Sequence, residues 1–205
     1  MKEIRYISTA TLDAIARNTL KQYHPDYLNQ PPQATPIEQL VENVFGLRIE
    51  YMYLTKSGDE LGRMIYDDGY TTRFNQETGN YELVEVATGT VLVDARLLSD
   101  PKLYGRFRFT LAHELGHWIL HKEFFVGTNT AAATYGIDAA DNSAIEWQAN
   151  YLATALLMPA GQVKRSFYHL RMQTGGQADE VSTLASIFEV SKQAMEIRLR
   201  ELRLI

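Results

Sequence analysis

The chain is predicted to fold as an α+β protein, because strand spacing is confined to its first half and helical spacing fills its second half. Alternating apolar residues and glycine-containing turns divide residues 47–94 into short strands. From Pro101 onward, apolar residues recur every three or four positions, which is the spacing of helices. Strands that are followed by helices favour an α+β architecture over alternating βα units.

The composition is that of an ordinary globular protein. The chain has 205 residues, of which 45% are hydrophobic and 22% charged, and this suits one domain with at most a small appendage. The net charge of −5 argues against a generic polyanion-binding protein. No apolar run approaches the roughly 20 residues that span a bilayer, and the first residues lack a signal-peptide pattern. Because cysteine is also absent, a cytoplasmic location without membrane contact is expected.

Two helices and five short strands are expected in the first half of the chain. The first helix covers Thr11 to Tyr23. A second begins at Pro36, with Thr35 as its N-cap and Glu38 completing a capping box, and it ends at Gly46. Short turns join the strands, which are therefore expected to form one small antiparallel sheet: residues 47–53, 63–66, 70–74, 81–86 and 91–94.

Helices are predicted throughout the second half. A linker of small residues, Phe124 to Asp141, precedes a helix from about Asn142 to Met158. Residues 159–172 are also predicted to be helical. Gly175-Gly176 then separates a final segment, so two units are expected, residues 1–175 and residues 176–205.

The most informative stretch is His113-Glu114-Leu115-Gly116-His117, an H-E-x-x-H sequence. It lies on a helix that is predicted by the apolar stripe from Phe107 to Ile119. On a helix, side chains four residues apart lie one turn above each other, so both imidazoles can bind one metal ion. Glu114 is then held beside the metal, where it can accept a proton from water. The pattern predicts a zinc site with Glu114 as general base.

A catalytic zinc usually has three protein ligands, so a third is required outside this motif. Glu146 is the best candidate, because it stands in the first turn of the predicted helix 142–158. Asn150, one turn further on the same face, can hydrogen-bond the outer nitrogen of a ligand histidine. The same positions allow another interpretation, in which Ser143 and Glu146 form a capping box without any metal. Spacing alone does not decide between the two.

The remaining histidines are weaker candidates. His121 lies one turn beyond His117, but each four-residue step drifts about 40° around the helix and rises about 6 Å. One ion cannot easily meet all three histidines of this helix, so His121 is expected in the wall of the site or hydrogen-bonded behind a ligand. His24 and His169 stand alone and are expected to be structural or surface groups.

These motifs resemble those of the ImmA/IrrE family of zinc metallopeptidases. Residues 106–121 are similar to the active-site helix of that family. Glu146-x-x-Ala149-Asn150, followed by Ala155 to Pro159, resembles its second motif. The likeness extends to Ile187 through Leu199 near the C-terminal end and back to Pro36-Ile37-Glu38, so it covers most of the chain.

The resemblance implies a fold, a ligand set and a function. It implies that residues 1–175 form a zincin-like metallopeptidase domain, that residues 176–205 form a helix-turn-helix-like segment, and that Glu146 is the third Zn²⁺ ligand beside His113 and His117. It further implies a regulatory endopeptidase that cleaves a helix-turn-helix repressor in a bacterium, phage or mobile element and so derepresses genes. A second donor to the oxyanion is desirable, and several side chains are candidates: Tyr135, His169, Tyr168 and Arg106.

The competing hypothesis is a non-catalytic metal-binding module that controls a repressor, a toxin or DNA by contact. An intact Glu114 argues against it, because a structural metal site has no use for a base. DNA contact is also disfavoured, since the C-terminal segment has Glu189 in its turn, where glycine would be easier. No specific DNA binding is expected, because the positive charges of the segment are largely offset: Lys192, Arg198, Arg200 and Arg203 against Glu189, Glu196 and Glu201.

Overall fold

The structure is a computed structural model that describes residues 5–127 and 139–205, without the side chains of residues 139–141. Helices and strands are both present in these ranges, so the predicted α+β class is confirmed. The helices are α1 (Thr9–Tyr23), α2 (Ile37–Gln39, continued as the π-helical turn Leu40–Val44), α3 (Tyr104–Phe125), α4 (Ala139–Leu157), α5 (Ala160–Thr174), α6 (Glu180–Phe188) and α7 (Lys192–Glu201). The strands are β1 (Arg48–Met52), β2 (Gly62–Met64), β3 (Gly69–Phe74), β4 (Tyr81–Val86) and β5 (Thr90–Asp94). Among the described helices, none has the length and apolar character to cross a membrane.

The strands form two sheets, so the prediction of one antiparallel sheet is wrong. β5 is the central strand of a three-stranded sheet, with β1 parallel on one side and β2 antiparallel on the other. β3 and β4 form a separate antiparallel hairpin. β3 and β4 do pair antiparallel across residues 75–80, but β4 and β5 lie in different sheets although only residues 87–89 separate them. Three strands separate β1 from β5 along the chain. The turn rule therefore does not apply to that pair.

The start of α2 also differs from the prediction. Pro36 is the N-cap residue, and no side chain caps the helix. The Thr35 hydroxyl instead donates a hydrogen bond to the Leu156 carbonyl at 2.8 Å, and the Thr35 carbonyl accepts one from Arg108 at 2.8 Å. The capping box is therefore wrong. Thr35 is buried, and its hydroxyl bonds to α4, while its carbonyl accepts from Arg108 of α3 and also from the backbone N–H of Ile37 at 2.8 Å.

Helices α3 and α4 pack against each other at the centre of the core. Gly116 of α3 lies so close to α4 that a Cβ placed on it would be 3.1 Å from the carbonyl oxygen of Ala149. The absence of a side chain lets the two backbones approach, and the contact places the H-E-x-x-H helix against the helix that carries Glu146. The three-stranded sheet packs on α3, and α1 packs on α4. Apolar side chains fill the space around this crossing: Phe107, Leu111, Leu115, Leu152 and Leu156.

Two buried arginines attach α6 and α7 to the rest of the protein. Arg198 of α7 is fully buried and donates to the Met158 carbonyl at 3.1 Å and to Asp13 of α1 at 2.9 Å. Arg108 of α3 is also buried and donates to the Glu189 carbonyl at 3.2 Å, in the turn between α6 and α7. Glu189 has a left-handed backbone, with φ of 51°, which glycine would adopt more easily. Its contact with Arg108 stabilises that conformation.

Replacement of Arg198 by alanine is expected to destabilise the protein by about 2–4 kcal/mol in urea unfolding. Breaking a buried ion pair costs roughly 3–5 kcal/mol, and partial exposure of the Asp13 carboxylate reduces that value. Arg200→Ala is the matched control, because Arg200 is two-thirds exposed and pairs with Glu196 on the surface at 2.7 Å. The control is expected to change stability by less than about 0.5 kcal/mol. Equal losses in the two variants would contradict the assigned role of Arg198.

Candidate metal centre and active site

His113, His117 and Glu146 meet where α3 packs on α4. The Nε2 atoms of the two histidines lie 2.9 Å apart. The Glu146 carboxylate places one oxygen 3.3 Å from His113 Nε2 and the other 3.4 Å from His117 Nε2. One potential ligand atom from each of the three residues lies within 4.8 Å of the others. Two imidazole nitrogens and a carboxylate oxygen are a donor set that fits zinc.

The start of α4 removes the alternative interpretation of Glu146. The helix begins at Ala139, so Ser143 lies inside it and is not at its N-cap. Hydrogen bonds from His113 and His117 hold the pKa of Glu146 well below its usual range. Burial lowers the pKa of His113, but the hydrogen bond that His113 donates to Glu146 and the charges of Glu114 and Glu146 outweigh it and raise that pKa overall. The local electrostatics thus favour positive charge where the three side chains meet.

The outer nitrogens of both candidate ligand histidines are hydrogen-bonded. His113 Nδ1 lies 3.0 Å from Asn150 Oδ1, which is the contact predicted from the spacing of α4. His117 Nδ1 lies 3.3 Å from His121 Nδ1, and His121 Nε2 lies 3.1 Å from Gln148 Oε1. His121 is therefore behind His117 and not among the three converging donors. Burial lowers the pKa of His121 to about 4, so its ring is neutral at pH 7.

Glu114 lies beside these donors in a cavity of about 300 Å³ between β2, α3 and α4. Its side chain is buried, and burial raises the pKa of its carboxyl above the usual range, although the two nearby histidines oppose that shift. A carboxyl group whose pKa is raised toward neutrality is suited to accept a proton and later to return it. The wall of the cavity combines polar and apolar side chains: Glu60, Arg63, Met64, Tyr66, Phe125, Asn142 and Ile145.

Gly62 and Tyr66 belong to this cavity and are not predicted by the sequence. A Cβ on Gly62 would lie 2.7 Å from Glu114 Oε1 and 2.6 Å from Thr110 Cγ2, so a glycine lets β2 pass the carboxylate. Tyr66 is buried and stacks on Trp118 with ring centroids 6.1 Å apart. Burial, and then the charges of Glu114 and Glu146, raise its pKa well above the usual value. The sequence predicts a strand at residues 63–66, but the pairing of β2 with β5 determines which of its residues face α3.

The oxyanion donors proposed from the sequence do not line this cavity within the described residues. His169 and Tyr168 are exposed on α5. Arg106 lines a larger groove of about 1260 Å³ between α3, α4, α6 and α7, which contains none of the candidate ligands. Tyr135 lies outside the described residues. His24, as expected of a structural group, accepts a hydrogen bond from the Asp26 backbone N–H at 3.3 Å.

The stretch that holds the candidate centre also identifies the family. Residues 70–200 match the IrrE N-terminal-like domain of peptidase family M78. This chain belongs to that family. The matched region of this M78 protein includes α3 and α4 with the two histidines, Glu114 and Glu146. The family predicted from the H-E-x-x-H and Glu-x-x-Ala-Asn motifs is therefore confirmed.

Comparison with individual proteins shows distant structural likeness. None of the curated protein sequences matches this chain. Among solved structures, a Mycobacterium tuberculosis transcriptional regulator is similar, with a TM-score of 0.49 and 18% sequence identity. The likeness covers 95% of this chain and 47% of that one, so this M78 chain spans about half the length of the regulator.

Gly62→Ala is expected to lower the free energy of unfolding by about 1–3 kcal/mol, the usual cost of overpacking. The added methyl group meets Thr110, whose branched side chain is stiff on a helix, and it displaces the Glu114 carboxylate. Gly69→Ala is the matched control, since Gly69 is also in a strand and a Cβ there would meet nothing within 4 Å. Urea unfolding measures both variants. If both unfold like the unmodified protein, Gly62 does not pack against Glu114 as described.

Proposed function

We propose that this chain is a cytoplasmic zinc-dependent endopeptidase, in which His113, His117 and Glu146 hold the metal and Glu114 is the general base. One observation carries the proposal: a buried carboxylate that is not part of the three-donor group lies in the same cavity as that group. A structural zinc site closes around the ion with four protein ligands, whereas a catalytic site uses three and leaves a position for water or substrate. Three side chains that could hold an ion converge among the described residues, which supports the catalytic type.

The side chains of the site divide the chemistry among them. A zinc ion bound here would supply Lewis-acid activation of water and of the scissile carbonyl. Glu114 accepts the proton of the attacking water on a carboxylate oxygen and then returns it to the leaving amide nitrogen. Asn150 holds the orientation of the His113 ring through its amide oxygen. Tyr66, whose ring lies in the cavity wall, is the candidate donor to the oxyanion that develops on the scissile carbonyl.

The outer edge of β2 provides a binding mode for an extended peptide. Among the described strands β2 is an edge strand, because β5 pairs with one side of it only. The main chains of Leu61 and Ile65 hydrogen-bond to β5, so those of Gly62 and Met64 face the opposite side. Both of these residues line the cavity with Glu114. A substrate that adds as a further strand would carry its main-chain carbonyls past Glu114.

The substrate class we propose is a helix-turn-helix transcriptional repressor of a bacterium, phage or mobile element. This part of the proposal is based on the resemblance to ImmA/IrrE peptidases. Cleavage of such a repressor would release the genes that it controls. An extended binding mode at β2 requires a flexible or locally unfolded segment in the substrate, because a folded helix cannot pair with a strand edge.

Two glutamate substitutions are expected to separate metal binding from proton transfer. Glu114→Gln retains about one zinc per chain but cleaves about 10²–10⁴-fold more slowly, because the amide cannot accept the proton. Glu146→Ala loses zinc, because two histidines alone remain as ligands. Zinc is measured by elemental analysis, and cleavage by the intact mass of helix-turn-helix repressors from the same genome after co-expression. Glu77→Gln, at an exposed glutamate of the β3–β4 turn, is the surface control.

The possible outcomes distinguish the hypotheses. Cleavage by Glu114→Gln at the rate of the unmodified protein would refute the general base. Unchanged zinc affinity of Glu146→Ala would refute the third ligand. An unmodified protein that binds zinc and a repressor but leaves the repressor intact would support the non-catalytic module.

We further propose that residues 1–175 form the metallopeptidase domain and that residues 176–205 serve in packing and protein contact, without binding specific DNA. The positive charges of the C-terminal segment support this proposal. Arg198 is fully buried, and Arg200 pairs with Glu196 at 2.7 Å. Arg198 is therefore not free to meet phosphates, which supply a large share of the affinity for DNA, and Arg200 already has a carboxylate partner at the surface.

The purified full chain is therefore expected to show no specific binding to operator DNA at about 0.15 M salt, where weak phosphate-only binding is largely suppressed. Fluorescence anisotropy with labelled operator and scrambled duplexes measures this, and a helix-turn-helix repressor serves as positive control. A sequence-dependent signal that persists at this salt concentration would overturn the assignment.

A further inference from the structure

A buried chain of hydrogen bonds leads from the candidate metal centre to the main chain before α1. His117 Nδ1 lies 3.3 Å from His121 Nδ1, His121 Nε2 lies 3.1 Å from Gln148 Oε1, and Gln148 Nε2 donates to the Arg5 carbonyl at 2.9 Å. The three side chains are 8%, 4% and 1% exposed, in that order. Their polar atoms are thus shielded from water and depend on one another for hydrogen bonds.

The Arg5 end of this hydrogen-bond chain fixes which atom donates and which accepts in every hydrogen bond of it. The Arg5 carbonyl can only accept, so the Gln148 NH₂ group donates to it and Gln148 Oε1 faces His121. Oε1 can only accept as well, so His121 carries its hydrogen on Nε2 and has a lone pair on Nδ1. That lone pair faces His117 Nδ1, which must therefore carry the hydrogen of the His117 ring.

At the His117 end of the hydrogen-bond chain, metal binding sets its own requirement for the position of the hydrogen, and that requirement agrees with this direction. A histidine that binds a metal through Nε2 needs a lone pair there and a hydrogen on Nδ1. His117 Nε2 is the atom that faces Glu146 and His113. The tautomer that Arg5 and Gln148 impose from one end is the tautomer that metal binding requires at the other end.

We propose that His121 is a positioning residue that fixes His117 as the Nδ1–H tautomer and orients its Nε2 lone pair toward the metal. The proposal rests on the metal site put forward under the proposed function. The partner of His117 is a second imidazole, whereas the amide of Asn150 performs the equivalent task for His113. Because this chain of hydrogen bonds ends at the Arg5 carbonyl, it links the segment before α1 to the geometry of the candidate metal centre.

The first test is the tautomeric state of the unmodified protein. Long-range ¹⁵N–¹H correlation spectra of the full chain, with and without added Zn²⁺, identify the protonated nitrogen of each ring. We expect a hydrogen on Nε2 of His121 and on Nδ1 of His117. A hydrogen on Nδ1 of His121 would overturn the proposal. This measurement needs no variant and does not depend on catalytic activity.

The second test is zinc affinity, measured by competition with a chromophoric chelator. His121→Leu removes the acceptor and is expected to bind Zn²⁺ about 10–100-fold more weakly, the usual effect of losing a partner of a ligand histidine. His121→Asn can place an amide oxygen near the former Nδ1 position and is expected to recover most of that loss. His169→Leu, at an exposed histidine of α5, is the control and is expected to bind like the unmodified protein.

Failure of the positioning role is distinguishable from failure of the metal site. If the unmodified protein does not bind Zn²⁺, the proposed function fails, whereas the spectra without metal still decide the tautomers. If the unmodified protein and His121→Leu bind Zn²⁺ equally and His117 keeps its Nδ1 hydrogen in both, the positioning role is wrong. If His121→Asn binds as weakly as His121→Leu, acceptance of the His117 hydrogen by residue 121 is refuted.

Discussion

The close contact between Gly116 and the backbone of Ala149 is the constraint on which the rest of the structure depends. His113 stands three residues before Gly116, and Glu146 stands three residues before Ala149, so each lies near the contact on its own helix. The separation of the two backbones therefore sets the distance between the imidazole and the carboxylate. A side chain at position 116 would separate the helices at the point where His113 Nε2 and the Glu146 carboxylate lie 3.3 Å apart.

Helix α4 hydrogen-bonds to α3 both before and after Gly116, at His113 and at His121. Only the first of these two contacts could be predicted from the sequence. Glu146 and Asn150 are one turn apart and share a face, so the hydrogen bond from Asn150 to His113 follows from spacing once Glu146 is chosen. Gln148 stands two residues after Glu146, about 200° around the helix, and it meets His121 on the other flank. Periodicity identifies groups on one helical face, but it does not reveal that residues on two different faces of α4 both contact histidines of α3.

The features that the sequence did not predict all depend on contacts between distant segments. The parallel pairing of β1 with β5 joins strands that three others separate, and Thr35 bonds to Leu156 instead of capping α2. Gly62 shows no unusual φ, so its role becomes visible only when Glu114 is packed against it. Local patterns predicted the helices, most of the strand positions and the H-E-x-x-H geometry, because hydrogen bonds or spacing within a few residues determine these.

The role of a charged side chain depends on where the fold places it, and the sequence alone does not show that place. Arg198 counts as a cation of the C-terminal segment, yet it is fully buried and its guanidinium reaches the Met158 carbonyl at the end of α4 and the Asp13 carboxylate of α1. Arg108 likewise donates to the turn that follows α6. Because a buried guanidinium must find acceptors, these two arginines orient α6 and α7 against the helices that form the centre. Helices α6 and α7 thereby become part of the support for α3 and α4, and with Arg198 buried the acidic side chains of residues 176–205 outnumber the remaining basic ones.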